Sequence, residues 1–183
     1  MKRWAVAIAV AASLALVAGL YALPASASRS TSAPAAAPAA TGAQSVKLAS
    51  VQVLPQRLAE KAADVALADC AKRGFAVAVT VLDPDGIVIV TVRADGATGV
   101  TVEVSKGKAA AAAGFKSPTS ALQEAAKTQP GFISLPGFVI LPGGLPIFSG
   151  AALVAGIGVS GAPSGDIDAA CATAGLKAIG FAS

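Results

Sequence analysis

The 183-residue chain contains no histidine, and its single methionine, tryptophan and tyrosine are Met1, Trp4 and Tyr21. Past residue 21, phenylalanine is the only aromatic side chain, and Cys70 and Cys171 are the only sulfur-bearing ones. Each absence removes a class of chemistry. Without imidazole, a serine or cysteine nucleophile has no histidine base and a metal has no histidine ligand. Charge is scarce as well: 13% of residues are charged, with 14 Lys and Arg against 10 Asp and Glu. Lys2 and Arg3 supply part of that excess. No basic cluster follows them and no aromatics are interleaved with Lys or Arg, which argues against a nucleic-acid partner.

Alanine, glycine and proline are plentiful, and their distribution divides the chain. Residues 1–27 read as a secretory signal peptide, with a positive start at Lys2 and Arg3, an apolar run over 4–23, and Ala25-Ser26-Ala27 as a small-residue cleavage site. The apolar run is long enough to span a bilayer, so an uncleaved leader would be a membrane anchor. Residues 28–50 form an Ala/Pro/Ser-rich segment with almost no charge and no large apolar cluster, the composition of a disordered linker. Residues 51–183 are enough for one hydrophobic core and too few for two.

Within that domain a helix is predicted over 55–73, opened by Pro55 and closed by Gly74, with Leu58, Ala62, Val65, Ala66 and Cys70 on its apolar face. Two β-branched runs, 75–82 and 87–93, flank Asp83-Pro84-Asp85-Gly86 and predict a β-hairpin. An alanine-rich helix is expected over 103–115 and a shorter one over 119–127, capped by Ser117 or Thr119. The apolar runs at 137–141, 145–148 and 151–159 predict three more strands. A last helix over 166–179 has Ile167, Ala170, Cys171, Ala174 and Ala178 on one stripe, with Asp166 and Asp168 complementing its dipole. This order implies an α+β fold: an antiparallel sheet of about five strands with helices on both faces.

Several motifs reduce to structure. Gly156-Ile-Gly158-Val-Ser160-Gly161 matches the dinucleotide fingerprint, but no second parallel strand can follow it, so its glycines are expected to permit close packing. Ser160 sits between glycines, yet Ala162 stands where a nucleophile elbow needs glycine. Asp83 and Asp85 are explained by the turn. Lys106 and Lys108, beside Ser105, are read as a solvated edge of the alanine helix. Cys70 and Cys171 admit a disulfide, two buried thiols or thiolate ligands.

Read together, the motifs resemble the haem-degrading, GlcG/HbpS-like family. They are Val77-Ala-Val-Thr-Val-Leu-Asp-Pro-Asp-Gly86, Arg93-Ala-Asp95-Gly96-Ala97, and Lys108-Ala running to Gly114-Phe115-Lys-Ser-Pro118-Thr119. Leu141-Pro-Gly-Gly-Leu-Pro146, the run from Gly156 to Gly165, and Asp168-Ala-Ala-Cys171 complete the set. The resemblance implies a profilin-like fold, with a five-stranded antiparallel sheet, terminal helices on one face and middle helices on the other. With the first and last helices side by side, Cys70 and Cys171 are expected to pair.

The resemblance also implies haem or tetrapyrrole binding, homo-oligomers, and for an exported member a membrane sensor as partner. Such a protein would be secreted or periplasmic. Lys108, Ala112 and Phe115 on the middle helix, with Pro142, Gly143 and Gly144, are the expected cofactor-binding surface. Lys108 would meet the propionates, and Phe115 would pack the ring. The chain departs from the family pattern at Ala94, where a methionine is usual, and at Ala110 to Ala112, where relatives offer the metal a hydroxyl or imidazole. No conventional catalytic constellation is expected. A cofactor-free assembly unit is the alternative reading, and haem degradation rests on the resemblance alone.

Overall fold

The computed structural model describes residues 49–181. The expected leader, its cleavage site and nearly all of the linker lie outside the described residues. Helix α1 (Gln56–Lys72) begins just after Pro55 and ends before Gly74, whose φ of +86° provides the left-handed turn a helix end favours. Strands β1 (Ala78–Leu82) and β2 (Val88–Arg93) form the expected antiparallel hairpin. Asp83 Oδ1 accepts the N–H groups of Asp85 and Ile87 at 2.9 and 2.8 Å, and Gly86 takes φ +84°. The aspartate is thus a turn residue.

Helix α2 (Gly99–Phe115) starts about a turn earlier than its sequence suggests, and α3 (Thr119–Ala126) follows after Pro118. Neither Ser117 nor Thr119 caps α3. Pro118 holds that position without a side-chain hydrogen bond, and the buried Thr119 hydroxyl instead accepts the N–H of Gly144 at 2.9 Å. A 3-10 turn (Pro130–Ser134) leads to β3 (Gly144–Ser149), β4 (Ala152–Ser160) and α4 (Gly165–Ala178).

Among the described residues the sheet has four strands, in the order β2-β1-β4-β3, all antiparallel. The fifth strand expected over 137–141 does not form. Val139 donates its N–H to the Gly107 carbonyl of α2 at 3.0 Å, and Phe138 lies over Gly114 of the same helix. Phe138, Val139 and Ile140 are covered in part by helices rather than by a strand neighbour, and Leu141 stays exposed, which composition alone does not distinguish.

Strand alternation sorts the layers. Val79, Val81, Ala155, Ile157 and Val159 point to one face, where they form the main core with Ala62, Ala66 and Cys70 of α1 and Cys171, Ala172 and Leu176 of α4. Gly156 and Gly158 point to the other face, directly under α2. The terminal helices therefore share one face and the middle helix covers the opposite one.

An added Cβ at Gly158 would collide with the Ser105 carbonyl oxygen, and one at Gly156 would lie 2.7 Å from that of Ala109. The fingerprint glycines thus set the helix–sheet distance. Gly158→Ala is expected to destabilise the domain by about 1–3 kcal/mol through overpacking. Thermal unfolding beside Gly131→Ala, where an added Cβ meets nothing within 4 Å, checks this; equal melting points would contradict it.

Helix α4 is rotated slightly from its expected orientation. Its buried positions are Asp168, Cys171, Ala172, Gly175 and Leu176, so Asp168 faces inward instead of only complementing the dipole. Gly175 lies against the Ala62 carbonyl of α1, and this close contact of two small-residue helices aligns the cysteines. Cys70 and Cys171 form a disulfide with their Cα atoms 5.6 Å apart. Of the three states the sequence allowed, the pair adopts the first. No helix among the described residues is long and apolar enough to cross a membrane.

Candidate functional site

Two neighbouring depressions occupy the α2–α3 side of the sheet. The larger, about 730 Å³, is a groove between α3 and the segment after the 3-10 turn. Its wall is apolar, made by Ile133, Phe138, Val139, Ile140 and Leu141. Ile133 is 69% exposed and Leu141 51% exposed, so much of that wall faces solvent. At its rim Lys127 Nζ donates to Glu124 at 2.6 Å, an i,i+3 pair with both side chains largely exposed. Such a pair contributes little and leaves the ammonium available to another anion. Phe115 adjoins the groove edge-on to Phe138 and Phe132, with ring centroids 5.6 and 5.2 Å away.

The second depression, about 480 Å³, lies between α2, Leu141-Pro142 and the start of α4. Its floor is an ion pair: Lys108 Nζ donates to Asp168 Oδ2 at 2.8 Å and to the Val159 carbonyl at 2.9 Å. The two side chains are each 3% exposed. Asp168 Oδ1 also accepts the Ala162 N–H at 3.1 Å. Burial pushes the Asp168 carboxyl up from its ordinary value of 3.8, while the Lys108 ammonium and the N–H groups of Ala162 and Gly161 oppose the rise. Ser160 lines this cleft, but the chain holds no histidine to act on its proton.

Lys108 is therefore not a solvated edge. At that position the helix faces the sheet, and a buried lysine is tolerated because Asp168 and a carbonyl satisfy it. Lys108, Pro142, Gly143 and Gly144 do come together: an added Cβ on Gly143 would sit 2.9 Å from Lys108 Nζ, and one on Gly144 would strike the Lys108 carbonyl. The two glycines admit the protein's own helix at close range. Ala112 is fully buried, and Phe115 lies toward the other end of α2 in the aromatic cluster. Sequence reasoning missed Asp168 as a partner and Phe138 to Leu141 as a wall. A signal for the first existed in the i, i+3, i+4, i+7, i+8 spacing of Asp168, Cys171, Ala172, Gly175 and Leu176, an alternative stripe that carries the acid.

Comparisons with known proteins bear on this geometry. The family described as haem-degrading protein HbpS-like matches residues 54–177. The chain belongs to the HbpS-like family. A double mutant of HbpS from Streptomyces reticuli is 39% identical, covering 80% of this chain and 99% of its own, with a TM-score of 0.72. The Klebsiella pneumoniae protein ORFY is 26% identical over 73% of this chain and 95% of its own, with a TM-score of 0.67. A PduOC–haem complex is 25% identical over 70% of this chain and 96% of its own, with a TM-score of 0.64. No curated protein matches the chain.

The residues of this HbpS-like domain answer the two demands of haem unequally. The apolar groove suits a flat macrocycle, and its volume is that of a small-molecule site. The donor set does not suit the iron. The usual axial ligands are imidazole, thiolate, thioether and phenolate. Histidine is absent, Met1 and Tyr21 lie outside the described residues, and both cysteines are joined in the disulfide. Among the described residues, no group of three or more Cys, Asp or Glu side chains is placed to hold a metal ion.

Proposed function

We propose that the protein is an exported haem- or tetrapyrrole-binding protein that holds its ligand by the ring and its propionates, without a protein–iron bond. The observation that carries this reading is the apolar groove of Ile133 and Phe138 to Leu141, rimmed by Lys127, in a chain of the HbpS-like family. The PduOC–haem complex supports the ligand class. Lys127 can leave Glu124 for a propionate, and Phe115 backs the groove through Phe138, whereas Pro142 lines the neighbouring cleft. Lys108, the propionate partner expected from sequence, is committed to Asp168, so its place in the reading is structural.

Burying about 300 Å² of apolar ring surface contributes roughly 7 kcal/mol before the costs of association are subtracted. The resulting affinity is micromolar or weaker. The same reading assigns no conventional catalytic constellation to the chain. The Cys70–Cys171 disulfide supports an oxidising compartment, secreted or periplasmic, in line with the leader at 1–27. Self-assembly belongs to it too. The β3 edge is interrupted by Pro146 and a register shift, whereas β2 offers Val88 to Val92 without proline or charge, an edge open to pairing. A membrane sensor would then read the assembly.

Visible titration with haem tests the reading. The expected result is saturable binding without a six-coordinate bis-histidine spectrum, at least tenfold weaker in Ile133→Asp and several-fold weaker in Lys127→Glu. Replacing both cysteines by alanine leaves the Soret band unchanged. Absence of binding at millimolar haem would favour a cofactor-free assembly unit.

A further inference from the structure

The mismatch between ring and iron extends to ligand selection. We propose that this groove recognises the tetrapyrrole macrocycle irrespective of its metal, so that metal-free protoporphyrin and its zinc chelate bind as tightly as haem. This inference rests on the haem-binding reading above and specifies which ligands the same groove accepts.

Among the described residues, each of the usual classes of axial ligand is missing or placed away from the groove. Histidine is missing from the whole chain. The two sulfurs of the domain are bonded to each other and fully buried in the α1–α4 layer. The groove lies on the other face of the sheet, beyond α2, so even a reduced thiol would be separated from it by a strand layer and a helix. Lys108 is 2% exposed, and its nitrogen already donates to Asp168 and to Val159. Lys127 reaches the rim as an ammonium hydrogen-bonded to Glu124, and an ammonium has donors but no lone pair for a metal.

What touches the ligand is then the wall formed by Ile133, Phe138, Val139, Ile140 and Leu141. Dispersion and desolvation against those side chains depend on the area of the ring, not on its central atom. The Lys127 ammonium senses the propionates, which all porphyrins of this class share. Selection therefore operates on a flat dianionic macrocycle. None of the wall side chains carries a nitrogen, oxygen or sulfur that could bond a metal at the centre of the ring.

The test is equilibrium binding of protoporphyrin IX and zinc protoporphyrin to the full chain, followed by porphyrin fluorescence, with haem as competitor. The expected result is dissociation constants within about threefold of one another, and haem displacing either porphyrin completely. Ile133→Asp weakens all three in parallel, and Tyr21→Phe, which removes the chain's one phenol, leaves the ratios unchanged. Haem binding more than tenfold tighter than protoporphyrin would overturn the inference while leaving the haem-binding reading intact. So would a ratio that collapses in Tyr21→Phe. Failure of all three ligands to bind would overturn both.

Discussion

Replacing Lys108 by methionine is expected to lower stability by about 3–5 kcal/mol, because it leaves Asp168 buried without its counter-ion. Urea unfolding at neutral pH reads the loss as a large fall in midpoint at unchanged slope. The cause is the orphaned carboxylate, so the double variant Lys108→Met with Asp168→Leu is expected to recover much of the loss. A double variant no better than the single one would contradict this.

The effect also depends on pH. In the intact protein burial raises the Asp168 pKa above 3.8, against the opposing pull of Lys108. The folded state therefore holds the proton more tightly than the unfolded chain does. Rising pH through the window from 3.8 to the raised folded value lowers stability, so this group does not drive acid unfolding. Without Lys108 the folded pKa rises further and the window widens upward. The deficit of Lys108→Met is thus expected to be smallest in acid and to grow as pH rises. A deficit largest in acid would point to a Lys108 role other than pairing.

Loss of the disulfide is the second large effect. Cys70 and Cys171 are 101 residues apart, so the bridge closes most of the domain into one loop. Removing such a constraint is expected to lower stability by about 3–5 kcal/mol. The double variant Cys70→Ala with Cys171→Ala avoids reductant access to sulfurs that are fully buried in the native state. Its urea midpoint is expected well below that of the oxidised protein, with the haem titration unchanged. A midpoint equal to that of the oxidised protein would show that the α1–α4 packing, close enough to require Gly175, suffices without the bond.

The sequence carried the elements with strong local punctuation. The Asp-Pro-Asp-Gly turn, Pro55 and Gly74 delimit α1 and the hairpin because backbone preference at those residues is steep. The glycines at 156 and 158 were legible as packing positions for the same reason. Burial direction on alanine helices was less legible. Alanine fits either environment, so α2 gave no clear stripe to show that Lys108 points inward. Its partner Asp168 lies 60 residues away, and only the sheet brings the two together. The groove was hidden because 137–141 reads as a strand until its N–H group is found on the Gly107 carbonyl of α2.

A crystal structure of the full chain with haem tests the central claim most directly. The expected result is a ring seated against Ile133, Phe138 and Leu141, propionates toward Lys127, and no side-chain nitrogen or sulfur bonded to the iron. Haem lodged instead in the cleft over Lys108 and Pro142, or iron held by a lysine nitrogen or a cysteine sulfur, would contradict it.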